Sequence, residues 1–287
     1  MKKNLKILTL IVFFTFILQN KILINNSIKY GIDLWKNNIF PSLFPMIIIN
    51  DILLSLNIAN NFTNKYNYIY LCSFFSGSPN NAYIIKNLYD KKLISQKFAN
   101  YSLLTINFCN PLFLINILSK IFSKKITIKL LLISYTSKLI LSLIYIKNTK
   151  CNYIIKEKQK FDLNNSLRKS LETNLTILTT VLFYIIIANL ITYNLKTNEI
   201  IKTLLKGLIE ITQGLDNLKN INVNINIKEI ITLFIISFSG ISIHSQVKNI
   251  ISKTNLKYTY FLKGRIIETI ISITVLILIE SIKFYII

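Results

Sequence analysis

The chain has very little with which to hold a metal ion or run acid–base chemistry. It contains one histidine, three cysteines and twelve acidic residues among 287. Cys72, Cys109 and Cys151 lie too far apart for a zinc spacing or a disulfide framework. No paired carboxylates, nucleophile–base constellation or phosphate loop occurs, so neither an enzyme nor a cofactor is expected. Glycine and proline are scarce, with six and four copies. Each one inside an apolar run therefore marks a place where a helix must stop or bend. Against the few acids stand 34 Lys and Arg, for a net charge of +22. They are scattered over many short loops, with no basic stripe on a soluble domain. That pattern excludes nucleic acid as a partner and suits loops lying on anionic lipid.

What the chain has in excess is apolar surface, at 52% hydrophobic residues and a mean hydropathy of +0.48. Several windows approach the ~20 apolar residues of a membrane helix. The expected fold is all-α, a polytopic integral membrane protein with about 7–9 hydrophobic segments. Lys2, Lys3 and Lys6 precede the apolar run Ile7–Leu18 with no small-residue cleavage site after it, and read as an uncleaved first membrane helix, Leu5–Ile24. A short polar link leads to Trp35, an interfacial anchor. Pro41 and Pro45 then start or kink a helix over Met46–Leu56 that carries Asp51.

The sharpest local signal is Phe75-Ser-Gly-Ser-Pro-Asn-Asn-Ala82, a polar, helix-breaking knot inside apolar sequence. Ser78 reads as an N-cap with Pro79 at the first helical position. The run from Tyr68 to Phe75 rises roughly 12 Å, which sets the break near the middle of a ~30 Å hydrocarbon core. Ser95 is placed to cap the next helix. Asn107-Phe-Cys-Asn-Pro111 interrupts Tyr101–Phe122, either as a kink or as the polar wall of a solute site. In the span Ile126–Ile146, Lys138 snorkels or pairs with an acid on a neighbour.

From Lys147 to Lys169 seven cations face only Glu157 and Asp162, and positive-inside logic makes this stretch cytoplasmic. It divides the chain into a first membrane half (1–146), a basic linker (147–170) and a second membrane half (171–287). The second half offers a span at Leu175–Leu195 and an amphipathic segment, Ile200–Leu218, with Gly207, Glu210 and Gly214. Ile230–Phe238 then runs into Ser239-Gly-Ile-Ser-Ile-His-Ser-Gln246, and Ile266–Ile287 forms the last span. A shift of 163 positions superposes Ser76-Gly77 on Ser239-Gly240, Leu93 on Leu256 and Phe98 on Phe261. The halves are thus repeat-like, each with a broken, re-entrant-like helix; inverted and parallel arrangements both remain open. Paired interrupted segments point to a transporter's binding site.

Candidate binding residues follow: Ser76, Gly77, Ser78, Pro79, Asn80 and Asn81 from the first break, and Asn107 and Asn110 from the wall. The second break supplies Ser239, Gly240, Ser242, His244, Ser245 and Gln246. Ser242 is expected to cap its helix as Ser78 caps the first. The N–H groups of Ser78–Asn80 and Ser242–His244 suit carboxylates. Asp51, Glu210 and His244 are candidates for proton coupling, although His244 is equally read as hydrogen-bonded within its own cap.

Several of these motifs also occur together and in order. They are Leu43-Phe-Pro45, Ser76-Gly-Ser-Pro79 with Ala82, Leu93-Ile-Ser95, Asn107-x-x-Asn-Pro-Leu-Phe113, Gly207-Leu-Ile-Glu-Ile-Thr-Gln-Gly214, Ser239-Gly-Ile-Ser-Ile-His-Ser-Gln-Val247 and Phe261-Leu-x-Gly-Arg265. From about Leu34 onward the chain resembles the sporulation integral membrane proteins of the YlbJ type, within the group that carries the nucleoside-recognition gate domain. That resemblance implies a bacterial membrane, a forespore membrane included. It also implies transport of a small anionic solute, dipicolinic acid foremost, during sporulation. A nucleoside-type carrier and a non-transporting protein needed for spore-envelope assembly are the alternatives. The family's usual glycine after the proline turn is replaced here by Asn81.

Overall fold

Trp35 and the prolines after it show how the first long helical run is built. The computed structural model describes Thr15 and residues 18–55, 65–146 and 161–286. Most of the expected helix Leu5–Ile24 and of the basic linker lies outside them. α1 (Lys21–Leu34) passes through a π-turn at Trp35–Ile39 into α2 (Phe40–Ser55). Residues 25–34, expected as a polar link, are thus helical, and α2 begins at Phe40 with Pro45 inside it rather than at Met46. Pro41 has no N–H to return to the carbonyl four residues back, on Asn37. The Asn116 amide donates to that carbonyl instead, at 3.0 Å, and the N–H of Phe40 reaches back to Trp35 in the wider π pattern.

Eleven further helices follow: α3 (Lys65–Ser76), α4 (Asn80–Asp90), α5 (Gln96–Thr105), α6 (Pro111–Leu118), α7 (Lys124–Ile146), α8 (Leu163–Tyr193), α9 (Glu199–Ile209), α10 (Ile211–Asn217), α11 (Ile225–Phe238), α12 (Gly240–Ile251) and α13 (Tyr258–Ile286). No strand occurs among the described residues. Ser95 caps α5 as expected, accepting from the Phe98 N–H at 3.2 Å. α8 starts twelve residues before the expected Leu175, because Asp162 supplies an N-cap to the Asn165 N–H. The expected single segment Ile200–Leu218 is two helices, α9 and α10, that part at Glu210.

Among the described residues, three stretches are long and apolar enough to cross a membrane: Lys124–Tyr145, Leu163–Tyr193, and Ile225–Ile251 across α11 and α12. The outer faces of α7, α8 and α13 stay uncovered. Leu132, Leu143 and Ile144 on α7, Phe183 and Ile191 on α8, and Ile270 and Ile277 on α13 are all exposed. Large apolar side chains on the outside of long helices suit hydrocarbon rather than water.

The two sequence halves interlock. α8 packs on α1 and α2, while α13 packs on α5, α7 and α11. Ion pairs fix the α7–α13 register. Lys129 meets Glu280 at 2.8 Å and Glu229 at 2.5 Å, and Lys138 meets Glu268 at 2.5 Å. As numbering rises along α7 it falls along α13, so the two helices are antiparallel. The expected snorkelling or pairing of Lys138 is thus a pairing. The apolar interior forms two clusters, one around α6, α8 and α11 and one around α3, α4, α5 and α12, with Tyr135 and Ile243 packed against both.

α5 and α13 approach most closely at Gly264, where an added Cβ would sit 2.0 Å from the Leu104 carbonyl oxygen. Backbone cannot swing aside as a side chain does. Gly264→Ala is expected to cost at least about 1–3 kcal/mol and to lower the thermal midpoint of the purified protein in detergent. An unchanged midpoint would show that α5 and α13 have room to separate.

Candidate functional site

Each interruption of the helical chain has its own local chemistry. At the first, α3 ends at Ser76 and Gly77 takes φ 70°. Only glycine fits, because a Cβ would stand 2.9 Å from that of Asn110. Ser78 donates its N–H to the Phe108 carbonyl at 2.7 Å, and Pro79 takes the N-cap position of α4. This corrects the expectation of a Ser78 cap: once its N–H is committed sideways to Phe108, the helix starts later, at Asn80, without a side-chain cap. The Ser78 hydroxyl is buried and has no partner among the described residues. Asn81 holds the break together. With its amide oriented so that both ends are satisfied, it accepts from the Phe108 N–H at 2.9 Å and donates toward the carbonyls of Ser73 and Gly77 and the Ser76 hydroxyl. Asn80 is buried beside it.

The second interruption is the link 106–110 between α5 and α6. It is a full break where a kink was one of the expectations. Asn110 caps α6 by accepting from Phe113 at 3.2 Å, and its amide donates to the Phe75 carbonyl at 3.0 Å. Asn107 donates to the Ser239 hydroxyl at 3.3 Å. One link thus ties the first Ser-Gly break to the second.

At that second break Ser239 and Gly240 both adopt positive φ, 74° and 58°. Ser239 tolerates the left-handed region because its hydroxyl is held between Ile236 O (3.2 Å) and the Asn107 amide. α12 begins at Gly240, so Ser242 is its third residue and not its cap, a further correction. The left-handed pair turns the chain at once, and no further N-cap residue is needed. Its first N–H groups, at Gly240, Ile241 and Ser242, have no intrahelical partner. Ser245 bonds back to the Ser242 carbonyl at 2.8 Å.

His244 uses both ring nitrogens. Nε2 lies 2.7 Å from the Phe238 carbonyl, which can only accept, so Nε2 carries the proton. Nδ1 therefore accepts from the Tyr258 hydroxyl, also at 2.7 Å. Burial holds the Tyr258 hydroxyl above its usual range, so it stays a donor. His244 stacks on Phe238 and ties α12 to the start of α13.

A fourth interruption, invisible to glycine or proline counting, lies at Glu210. Its carboxylate caps α10, accepting from the Gln213 N–H at 2.8 Å and from the Thr212 hydroxyl at 3.3 Å. Gly207 and Gly214 face each other across the turn, so close that a Cβ on Gly214 would lie 2.2 Å from Gly207 Cα.

All four interruptions border one cavity of about 60 Å³, room for several waters. Ser78 and Pro79, Asn110, Glu210 with Ile211 and Thr212, and Ser242 with Gln246 line it, and side chains that include Ile39, Leu43, Cys109, Phe113, Ile177, Val181 and Ile243 form the rest of its wall. Of the proposed binding residues, the structure therefore brings Ser78, Pro79, Asn110, Ser242 and Gln246 to the cavity. Ser76, Gly77, Asn80, Asn81, Asn107, Ser239, Gly240, His244 and Ser245 shape the breaks behind it. Of the three proton-coupling candidates only Glu210 reaches it. Asp51 is bound to Lys169 (2.6 Å) and Ser166 (3.0 Å) on α8. Thr212 was missed because nothing in an amphipathic pattern marks a break there; Glu210 followed by Thr212 and Gln213 is the only capping signal.

Behind Cys109 lies a fully buried ionic cluster, Lys138, Glu268 and Arg265. Arg265 reaches the carbonyls of Asn107 (3.3 Å) and Ser237 (3.4 Å).

Gly77→Ala should destabilise the protein more than Gly31→Ala. At Gly77 positive φ and the Asn110 backbone both oppose a Cβ, whereas at Gly31 the close neighbour is the mobile tip of Leu182. A difference of about 1–2 kcal/mol is expected from the left-handed conformation alone, read as midpoints of thermal unfolding in detergent. Equal losses would mean that the first break relaxes freely.

No known family model and no solved structure matches the chain. One curated protein does, the "Sporulation integral membrane protein YlbJ" of Bacillus subtilis (strain 168). It is 24% identical over 305 aligned positions that span 84% of this chain and 73% of the relative. A similarity of that extent, joined to the apolar helices, supports assignment of the chain to the YlbJ-type family of sporulation integral membrane proteins.

Proposed function

We propose that the chain is a membrane transporter for a small anionic solute, held in the cavity where the interrupted helices meet. The observation that carries this reading is the polarity of the helices at the cavity: α4, α6, α10 and α12 all present their starts to it. Helix starts carry free N–H groups and partial positive charge. Asn110 and Glu210 already cap α6 and α10, whereas α4 and α12 have no side-chain cap. The two uncapped starts are the pair that the sequence repeat relates. In this reading they hold a carboxylate of the solute, and Ser78, Asn110, Ser242 and Gln246 orient it. Dipicolinic acid during sporulation, in a forespore membrane, is the solute and setting that the family resemblance favours. No enzymatic step is involved.

The same reading counts seven to nine apolar segments, with the Ser-Gly breaks as re-entrant points near mid-membrane. α3 and α11, of 12 and 14 residues, rise roughly 18 and 21 Å before their breaks, against a hydrocarbon core of ~30 Å. Irregular backbone at that depth is tolerated where protein buries it or it lines a polar cavity.

Glu210 gives the reading its coupling step. An anion beside an ionised Glu210 meets like charge in an apolar surround, so a proton on Glu210 favours binding. Uptake should rise as pH falls on the entry side. A neutral hydrogen-bonding molecule such as a nucleoside is the alternative solute, since it would meet no like charge beside an ionised Glu210.

Proteoliposomes carrying the full chain should accumulate labelled dipicolinate saturably, faster with acid on the entry side. Ser78→Leu, which fills the cavity, should cut uptake about tenfold or more without loss of insertion, and Glu210→Gln should remove the pH dependence. Nucleoside uptake without dipicolinate uptake would replace the anionic solute by a neutral one, and uptake of neither would end the transport reading. An impermeant thiol reagent should modify Cys109, which lines the cavity, and spare Cys72, which is fully buried away from it. Labelling of Cys72 alone would place the path elsewhere.

A further inference from the structure

Arg265 is fully buried, yet only one of its nitrogens finds acceptors. Nη1 serves the Asn107 and Ser237 carbonyls and lies 2.5 Å from Glu268 Oε2. Nε and Nη2 have no acceptor among the described residues. Those two N–H groups point the same way and form the side-on edge of the guanidinium, an edge that grips a carboxylate with two parallel hydrogen bonds. Charge counting agrees. Glu268 is shared between two cations, Lys138 and Arg265, and all three are 0% exposed. Lys138 spends its remaining bonds on Ser134. The cluster therefore carries one positive charge that no described residue balances, in an apolar interior where unbalanced charge is costly.

The cluster also lies next to the cavity. Cys109 is at once part of the cavity wall and within electrostatic range of Lys138, Glu268 and Arg265. Asn107, whose carbonyl Arg265 holds, belongs to the same link as Asn110, which lines the cavity.

We propose that the Nε/Nη2 edge of Arg265 is a second carboxylate subsite. It takes one carboxylate of a dicarboxylate whose other carboxylate lies at the helix starts. This rests on the anionic-solute reading above, and it adds the residue that would hold the second carboxylate of a small rigid diacid. The link 106–110 is the element that must shift to join the two subsites.

Calorimetric binding to the purified full chain in detergent tests it, with pyridine-2,6-dicarboxylate and pyridine-2-carboxylate as probes. The wild type should prefer the diacid by about tenfold or more, the usual worth of a charge-assisted pair. Arg265→Lys keeps the charge and removes the two-pronged edge. It should lose that preference while monoacid affinity stays within about twofold. Equal wild-type affinity for the two acids, or a preference kept in the lysine variant, overturns the subsite. If the lysine variant does not fold, Glu268→Gln decides: relieved of its competing carboxylate, Arg265 should bind the diacid more tightly, and unchanged or weaker binding overturns the proposal. Wild-type binding of neither acid removes both the subsite and the anionic solute. Diacid uptake with an unaltered Arg265→Lys removes the subsite alone, and Arg265-dependent binding without uptake removes transport alone.

Discussion

Arg265 stands where α5 and α11 both run out of backbone partners. A helix that stops inside an apolar layer leaves carbonyls at its end that lipid cannot solvate, and a cation there meets the negative end of the helix dipole. One guanidinium serves both ends here through Asn107 O and Ser237 O, with Glu268 and Lys138 holding it in place. The other carbonyl ends are met in the same spirit by neutral donors. The Asn110 amide takes Phe75 O, the Ser78 N–H takes Phe108 O, and His244 takes Phe238 O. Three of the four interruptions, at the ends of α3, α5 and α11, are thereby closed by the protein itself on their carbonyl side. Neither α4 nor α12 has a side-chain cap at its start, although the Asn81 and Ala82 N–H groups of α4 return to the carbonyls of Gly77 and Pro79, and both starts border the cavity. Function and stability divide along the helix axis.

That division explains which parts of the site could be read from the chain. Gly77, Ser239-Gly240 and Pro111 are residues with unusual backbone demands, and each did mark a break. Glu210 has no such demand. It interrupts α9 and α10 by capping, a role that an ordinary acidic residue in an amphipathic segment does not advertise. Capping was also where local reasoning failed by position: Ser78 and Ser242 have the right chemistry, but Ser78 is drawn aside by Phe108 and Ser242 is overtaken by a left-handed turn three residues earlier. Both are tertiary effects. The partner of Lys138 was legible only as a type, an acid on a neighbouring helix; the antiparallel register of α7 and α13 makes it Glu268.

His244 shows why polarity alone misleads at a break. Four polar side chains in sequence, Ser242, His244, Ser245 and Gln246, look like a binding cluster. On a helix they point around the axis. Ser242 and Gln246, four apart, share the face that lines the cavity, whereas His244 lies on another and closes the end of α11 against Tyr258. The histidine's polarity is spent on structure, and the less conspicuous serine and glutamine are left facing the cavity. At the first break Ser78 and Pro79 lie in the turn before α4 and line the cavity, whereas Asn81, inside α4, turns back to the Phe108 N–H.

Charge at the cavity follows from the same economy of partners. Four helix starts raise the local potential, and the protein has set one carboxylate, Glu210, among them as a cap. On the proposed reading, a Ser or Asn cap, as at α5 and α6, would leave the cavity holding its anion at any pH and releasing it with difficulty. A titratable cap makes the potential depend on one proton: protonated, Glu210 leaves the helix starts uncompensated and receptive; ionised, it supplies the negative charge that a departing anion takes away. Removing either the carboxylate or the free helix starts would leave binding without a means of release, or release without binding. On the proposed transport reading, a single buried acid at such a cavity suits a carrier better than a static anion sink.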